Sequence, residues 1–119
     1  MMNIKKIMLS GAICLAMSGA LYANKSSVEI KAPDSAVKGS EITITVSVSH
    51  SANNFMHHTS WAYVKVNGKE VGRWEYPFES ADFTREVKVK VDGPLVVEAK
   101  AECNIHGSAG AVNAQVKLK

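Results

Sequence analysis

The sequence of 119 residues predicts an all-β chain that folds as one antiparallel sandwich of about seven short strands. Two stretches, Glu41–Ser49 and Phe83–Val91, alternate apolar and polar residues as half-buried strands do. Asn67-Gly68 is a strong hairpin signal, and Asp92-Gly93-Pro94 marks another turn. Outside the N-terminal segment no window of useful length has the helical period, and the length suits a single domain.

The predicted strands follow one another at short intervals. The first ends before Pro33, and Lys38-Gly39 supplies the turn into Glu41–Ser49. That strand should bury one face, made of Ile42, Ile44, Val46 and Val48. Many short strands with regular turns favour an immunoglobulin-like sandwich. The seven predicted strands are Val28–Ile30, Glu41–Ser49, Trp61–Val66, Glu70–Trp74, Phe83–Val91, Leu95–Glu102 and Val112–Leu118.

Residues 1–23 have the pattern of an export signal. Lys5 and Lys6 precede an uncharged, mostly apolar run from Ile7 to Leu21, and small residues end it before Asn24. The run is about 15 residues, shorter than the roughly 20 that span a bilayer. We predict cleavage after Ala23, with an uncleaved anchor as the alternative. The mature domain would then be residues 24–119, and the formal charge would fall from +3 to +1 with the two lysines.

The remaining composition excludes several classes of protein. Two cysteines in a chain this short do not make a disulfide scaffold. Lysines and acids are interspersed without a basic block, so no nucleic-acid partner is expected. After signal removal Cys103 would be the one cysteine of an exported chain. It is then a buried inert residue, half of an intermolecular disulfide, or a ligand.

The four histidines all lie outside the predicted strands, near strand ends. His50 follows one strand, His57 and His58 precede the next, and His106 belongs to the segment Cys103-Asn104-Ile105-His106-Gly107. Loops at one rim of a rigid sandwich are a common place for a site. Cys-x-x-His can hold one metal ion from a tight turn, in which Gly107 eases the bend and backbone N–H groups reach the sulfur. We therefore predict a metal site that uses Cys103, His106, His50 and one of the adjacent pair.

The ligand types favour iron over copper or zinc. A structural zinc site has four closed ligands, usually with more cysteine. A blue-copper site adds a weak axial Met, but no Met follows His106, and Met56 lies in the other loop. A thiolate donates electron density to iron and assists chemistry at the position opposite it.

The segment His50-x6-His57-His58-x2-Trp61, with Cys103-Asn104-Ile105-His106-Gly107 downstream, resembles the iron domain of the superoxide reductase family (desulfoferrodoxin and neelaredoxin). The resemblance implies an immunoglobulin-like sandwich with a mononuclear non-haem iron. Four equatorial histidines and one axial cysteine would hold the iron, and the sixth position would receive superoxide.

Carried onto this chain, the resemblance makes His50, His57 and His106 equatorial ligands and Cys103 the axial thiolate. His58 matches the second residue of the pair, which is not a ligand in the family, and so is an extra ligand or a neighbour of the site. No catalytic residue is assigned beyond the metal ligands.

The family's N-terminal Glu-Lys-His segment has no counterpart here, because no histidine precedes His50. The fourth equatorial ligand and the lysine that attracts superoxide therefore stay unassigned. Lys31 and Lys38 are candidates for that cation by elimination.

The implied reaction is one-electron reduction of superoxide to hydrogen peroxide, with an external electron-donor protein. We expect an oxidoreductase in the periplasm or outside the cell, without membrane attachment after signal cleavage. One alternative is a non-catalytic metal-binding or electron-transfer module on the same scaffold. Another is a sandwich adaptor that presents a partner or a sulfur compound. The sequence does not predict the oligomeric state.

Overall fold

In the computed structural model, which describes residues 13–17 and 24–119, nine β-strands pair into two sheets. The strands are β1 (Ile13–Met17), β2 (Ser27–Pro33), β3 (Ser35–Ala36), β4 (Glu41–Ser49), β5 (Thr59–Val66), β6 (Lys69–Glu75), β7 (Phe83–Lys90), β8 (Leu95–Cys103) and β9 (Val112–Leu118). Each of the seven predicted strands is present, whereas β1 and the two-residue β3 were not predicted. The described residues form no helix that could cross a membrane.

The two sheets face each other. One has the order β1-β2-β4-β7 and the other β3-β9-β8-β5-β6. Within the described residues every strand pair is antiparallel except β3 with β9. β2 of the first sheet contacts β8 and β9 of the second. The predicted all-β sandwich is therefore confirmed.

Alternating residues of the strands fill the space between the sheets. In β4 the predicted face is buried, and its least exposed residues are Ile44, Val46 and Val48. β8 contributes Val97, Ala99 and Ala101 from the opposite sheet. Burial of these side chains is the main favourable term in folding, at about 25 cal/mol per Å² of apolar surface. The core is thus continuous along the full length of both central strands.

The same alternation determines where the site lies. His50 is two residues beyond Val48 and keeps the inward direction of β4, with 8% of its surface exposed. Cys103 is two residues beyond Ala101 and ends β8 facing inward, 2% exposed. Because β4 and β8 belong to facing sheets, their last inward positions bring an imidazole and a thiol together at one rim.

β1 lies inside the predicted export signal. It pairs with the outer edge of β2 in the register Ile13↔Pro33 to Met17↔Glu29. The predicted cleavage site after Ala23 lies outside the described residues. Cleavage there would remove β1 and leave β2 as the edge strand of its sheet.

Candidate metal centre

Four predicted ligand residues meet at the rim where β4 and β8 end. Ligand atoms of His50, His57 and Cys103 all lie within 4.8 Å of one another. His106 lies beside this group, with its Nδ1 3.3 Å from His57 Nε2 and 3.9 Å from Cys103 Sγ. Two donor atoms on one ion with bonds of about 2.0–2.3 Å lie at most about 4.5 Å apart. The observed separations are close to that limit.

The imidazole of His50 is oriented with a free lone pair towards the group. Its Nδ1 lies 2.7 Å from the carbonyl oxygen of Ala52, which only accepts, so Nδ1 carries the proton. Its Nε2 is then unprotonated, and this buried atom has no hydrogen-bond partner. An unsatisfied buried acceptor costs about 1–3 kcal/mol. A metal ion would satisfy such an atom. A metal-bound histidine usually donates its other ring N–H to an acceptor such as a backbone carbonyl, as His50 does here.

The thiol of Cys103 lies inside a tight turn. The backbone N–H groups of Ile105 and His106 point at Sγ, at 3.4 and 3.3 Å. The turn closes with hydrogen bonds between Cys103 and Gly107 in both directions, at 2.8 and 3.1 Å. Gly107 has φ +79°, a conformation that glycine adopts without strain. The turn therefore has the predicted geometry, with both N–H groups directed at the sulfur.

The loop before β5 presents His57. The side-chain oxygen of Asn54 accepts hydrogen bonds from the N–H groups of Met56 and His57, both at 3.0 Å. The His57 ring meets His50 and His106 edge-on, with centroid separations of 4.8 and 5.0 Å. Partial burial, and then the neighbouring imidazoles beginning with His50, lower the pKa of His57. Neutral imidazole is the form that binds a metal, so these surroundings favour a ligand.

Asn104 joins the two ligand loops, a role that sequence reasoning missed. Its Nδ2 donates to the carbonyl of Met56 at 3.1 Å, and its Oδ1 accepts from the N–H of His58 at 2.9 Å. Its own N–H donates to the carbonyl of His58 at 3.0 Å. The side-chain contacts join residues 46 and 48 positions apart, so no local sequence pattern indicated them.

His58 lies to one side of the cluster. Its ring stacks on Tyr76 at a centroid distance of 3.6 Å, and its Nδ1 lies 2.8 Å from the carbonyl of Asn54. The carbonyl is an acceptor, so Nδ1–H donates. These contacts engage both the face and one nitrogen of the ring outside the group formed by His50, His57 and Cys103.

The residue just before β2 is hydrogen-bonded to the ligand turn. The N–H of Ser26 donates to the carbonyl of Gly107 at 3.3 Å, and the N–H of Ala109 donates to the carbonyl of Ser26 at 2.9 Å. The Ser26 hydroxyl also pairs with the hydroxyl of Thr59 at 2.7 Å in a buried contact. The backbone of Lys25 therefore lies directly beside the ligand turn.

Lys31 and Lys38, the two lysines predicted as candidates for the cation that attracts superoxide, lie farther from the ligand cluster. Lys38 precedes β4, and its neighbour Gly39 donates to the carbonyl of Val91 at the end opposite His50. At about 3.3 Å per residue, the nine residues of β4 separate that end from the site by roughly 30 Å. Lys31 pairs with Thr45, five residues before His50 along β4.

The donor set fits a first-row transition metal. Three imidazoles and one thiolate suit iron, copper or zinc, whereas magnesium and calcium prefer sites lined by oxygen. The unpartnered Nε2 of His50 and the two N–H groups on Cys103 Sγ are the surroundings expected of residues that hold a metal ion.

Comparison with known families decides the classification. The family model described as desulfoferrodoxin matches residues 20–109. The chain belongs to the desulfoferrodoxin family. The matched region starts well before His50 and contains every predicted ligand, and the family implies iron. No functionally curated protein matches the sequence significantly.

Solved structures of the desulfoferrodoxin fold resemble this chain. A point variant of the superoxide reductase (neelaredoxin) from Ignicoccus hospitalis is 23% identical, with a TM-score of 0.67 over 82% of this chain and 83% of that one. The unmodified Ignicoccus hospitalis protein is 23% identical, with a TM-score of 0.62 over 77% and 80%. A hypothetical protein from Pyrococcus horikoshii is 24% identical, with a TM-score of 0.59 over 82% and 92%. At this level of identity the likeness shows a common fold.

Proposed function

We propose that this chain is an exported superoxide reductase that reduces superoxide to hydrogen peroxide at a mononuclear non-haem iron. His50, His57, His106 and Cys103 would hold the iron. The observation that carries the proposal is the unpartnered, buried Nε2 of His50 beside the other donor atoms. Family membership supports iron as the metal.

The reaction adds one electron and two protons to superoxide and releases hydrogen peroxide. The bound iron would supply the electron. The chain's residues fix the geometry: the Ala52 carbonyl holds His50 with Nε2 inward, and Asn54 orders the loop that presents His57. The N–H groups of Ile105 and His106 point at Cys103 Sγ and would reduce the electron donation of a metal-bound thiolate by hydrogen bonding.

Lys25 is our candidate for the cation that draws superoxide to the site. Its neighbour Ser26 is hydrogen-bonded to Gly107 in the ligand turn, whereas Lys38 lies at the far end of β4. With a mature charge of about +1, overall steering of an anion is weak, so a local charge is needed.

Lys25→Ala should lower the second-order rate with superoxide about tenfold and weaken its dependence on salt. Lys38→Ala is the matched control and should leave that rate unchanged.

The decisive experiment combines metal analysis, an optical spectrum and pulsed superoxide. Purified protein should contain about one iron per chain, and the ferric form should show a thiolate-to-iron charge-transfer band. Cys103→Ser should abolish the band. The ferrous protein should react with one superoxide per iron and release peroxide. Iron that binds but does not react would leave a metal-binding or electron-transfer module, and a colourless zinc protein would exclude the reductase.

Export is tested separately. N-terminal sequencing of the protein isolated from its native compartment should begin at Asn24. A chain that retains residues 1–23 and sediments with membranes would instead indicate an uncleaved anchor.

A further inference from the structure

Three large apolar side chains surround the ligand cluster on the outside. Phe55 is 85% exposed and Met56 is 75% exposed, directly before His57. Ile105 is 58% exposed, between Cys103 and His106. We call these three residues the apolar rim. In the described part of the chain, no other loop exposes so many large apolar groups.

The apolar rim is held in place before any partner arrives. Asn104 bonds to Met56 and His58, and so fixes the loop of Phe55 and Met56 against the loop of Ile105. Asn54 further orders the first loop through the N–H groups of Met56 and His57. A preordered surface loses little conformational entropy on binding.

The two loops are also uncharged. Neither the segment from Ser49 to Ser60 nor the segment from Cys103 to Val116 contains Asp, Glu, Lys or Arg. A highly charged partner would have to desolvate its charges against this surface without any compensating charge. The rim is therefore complementary to an uncharged apolar patch.

We propose that the apolar rim is the docking surface for a small electron-transfer protein whose own one-electron centre lies beneath uncharged apolar surface. The proposal rests on the proposed function, which requires an external electron. The partner would lose one electron and a metal held by the cluster would gain it, with no bond broken and no proton moved. Ile105 links the surface to the site, because its backbone N–H donates to Cys103 Sγ at 3.4 Å.

A transient partner fits this position better than a second copy of the chain. The loops of the apolar rim also hold His57 and His106, so a permanent partner would cover the ligand cluster and exclude substrate. Electron-transfer complexes are weak and small, and bury less than about 1,200 Å² in total. Two loops with three exposed apolar side chains suit such an interface.

The test uses reduced rubredoxin as the protein donor and ascorbate as a donor that needs no docking. Phe55→Ser and Met56→Ser should each lower the rate of metal reduction by rubredoxin about tenfold and leave the rate with ascorbate unchanged. Val37→Ser, which changes a side chain that is 54% exposed far from the site, should alter neither rate. The rate with rubredoxin should vary little with salt, since the rim is uncharged.

A binding measurement makes the test independent of turnover. Oxidised rubredoxin titrated into isotope-labelled, zinc-loaded protein should shift the amide signals of residues 54–58 and 104–107. Ile105→Ser should weaken that binding severalfold while the thermal melt stays that of a folded protein. Unchanged rates in both rim variants, an equal loss in Val37→Ser, the absence of amide shifts, or a stable dimer built on these loops would overturn the docking proposal. Shifts and variant effects in a protein that is inert to superoxide would instead reject the enzymatic function and leave the docking surface standing.

Discussion

Two adjacent histidines have different surroundings, although residue type alone does not distinguish them as metal ligands. His57 Nε2 faces His106 Nδ1 at 3.3 Å, whereas the His58 ring stacks on Tyr76. His57→Ala should lower metal affinity by at least about 100-fold, because even changes outside the ligand set cost 10–100-fold. His58→Ala should change the affinity less than about threefold and cost about 1 kcal/mol of stability from the lost stack and hydrogen bond.

Metal content after dialysis against a graded chelator measures the difference between the two variants. An equal loss of metal in His58→Ala would show that His58 is also a ligand. This is the alternative that the sequence left open. Unfolding in urea provides the control, because it separates lost affinity from lost structure.

The candidate ligand residues could be selected from the sequence, but their orientation could not. Residue type and the Cys-x-x-His spacing were enough to select His50, Cys103 and His106. The proton on Nδ1 of His50 depends on the carbonyl of Ala52, a contact of the folded loop. The brace from Asn104 to Met56 joins residues 48 positions apart, and no local pattern predicts such a contact.

At the scale of elements, the ligand turn depends on the left-handed conformation of Gly107. A Cβ at Gly107 would meet nothing within 4 Å, so Gly107→Ala tests backbone strain without a clash. The strain should cost about 1–2 kcal/mol in urea unfolding and should also lower metal affinity. Gly93→Ala is the matched control, since that site is equally open and has no left-handed φ. Equal stability of the two variants would contradict the strained-turn interpretation.

The pairing of β5 with β8 creates a tyrosine with an altered titration. Tyr63 OH donates to Glu98 Oε2 at 2.6 Å, and burial, followed by this bond and the charge of Glu98, raises the pKa of Tyr63 to about 12. Between about pH 10 and 12 the unfolded chain has lost a proton that the folded chain keeps. Stability should therefore fall as pH rises through that range and be unaffected by this group below it.

An ultraviolet titration of tyrosinate checks this shift. One late-titrating tyrosine should be seen, and Tyr63→Phe should remove it. Glu98→Gln should move the titration towards the ordinary value near 10. An unchanged titration in Glu98→Gln would contradict the part of the shift assigned to Glu98.

The strands themselves were predictable wherever alternation was strong. β4 has the predicted bounds and inward face, because its period of two matches a half-buried strand. β3 consists of Ser35 and Ala36 alone and pairs in parallel with the end of β9, so its existence depends on tertiary structure. β1 consists of apolar residues that the sequence assigns to an export signal, and pairing with the edge of β2 gives the same residues a strand geometry.

At the scale of the whole molecule, the core does not depend on the metal site. The buried side chains of β4 and β8 extend from Ile42 and Leu95 to the rim, and the cluster sits only at the strand ends. Small metal-dependent domains unfold without their ion because the ligands are most of their core. This sandwich should therefore stay folded when the metal is removed.

Anaerobic chelation followed by circular dichroism should show an unchanged β spectrum with a lower melting temperature. Ferrous iron at about 100 times its dissociation constant should restore about 2.7 kcal/mol, or roughly 10–20 °C for a domain of this size. Cys103→Ser should show little of that shift, since the thiolate is lost while the core is intact. Unfolding on chelation would mean that the strand ends come together only when the ion is bound. The cost of leaving His50 Nε2 unpartnered among the clustered imidazoles would then exceed the free energy gained by burying the core between the two sheets.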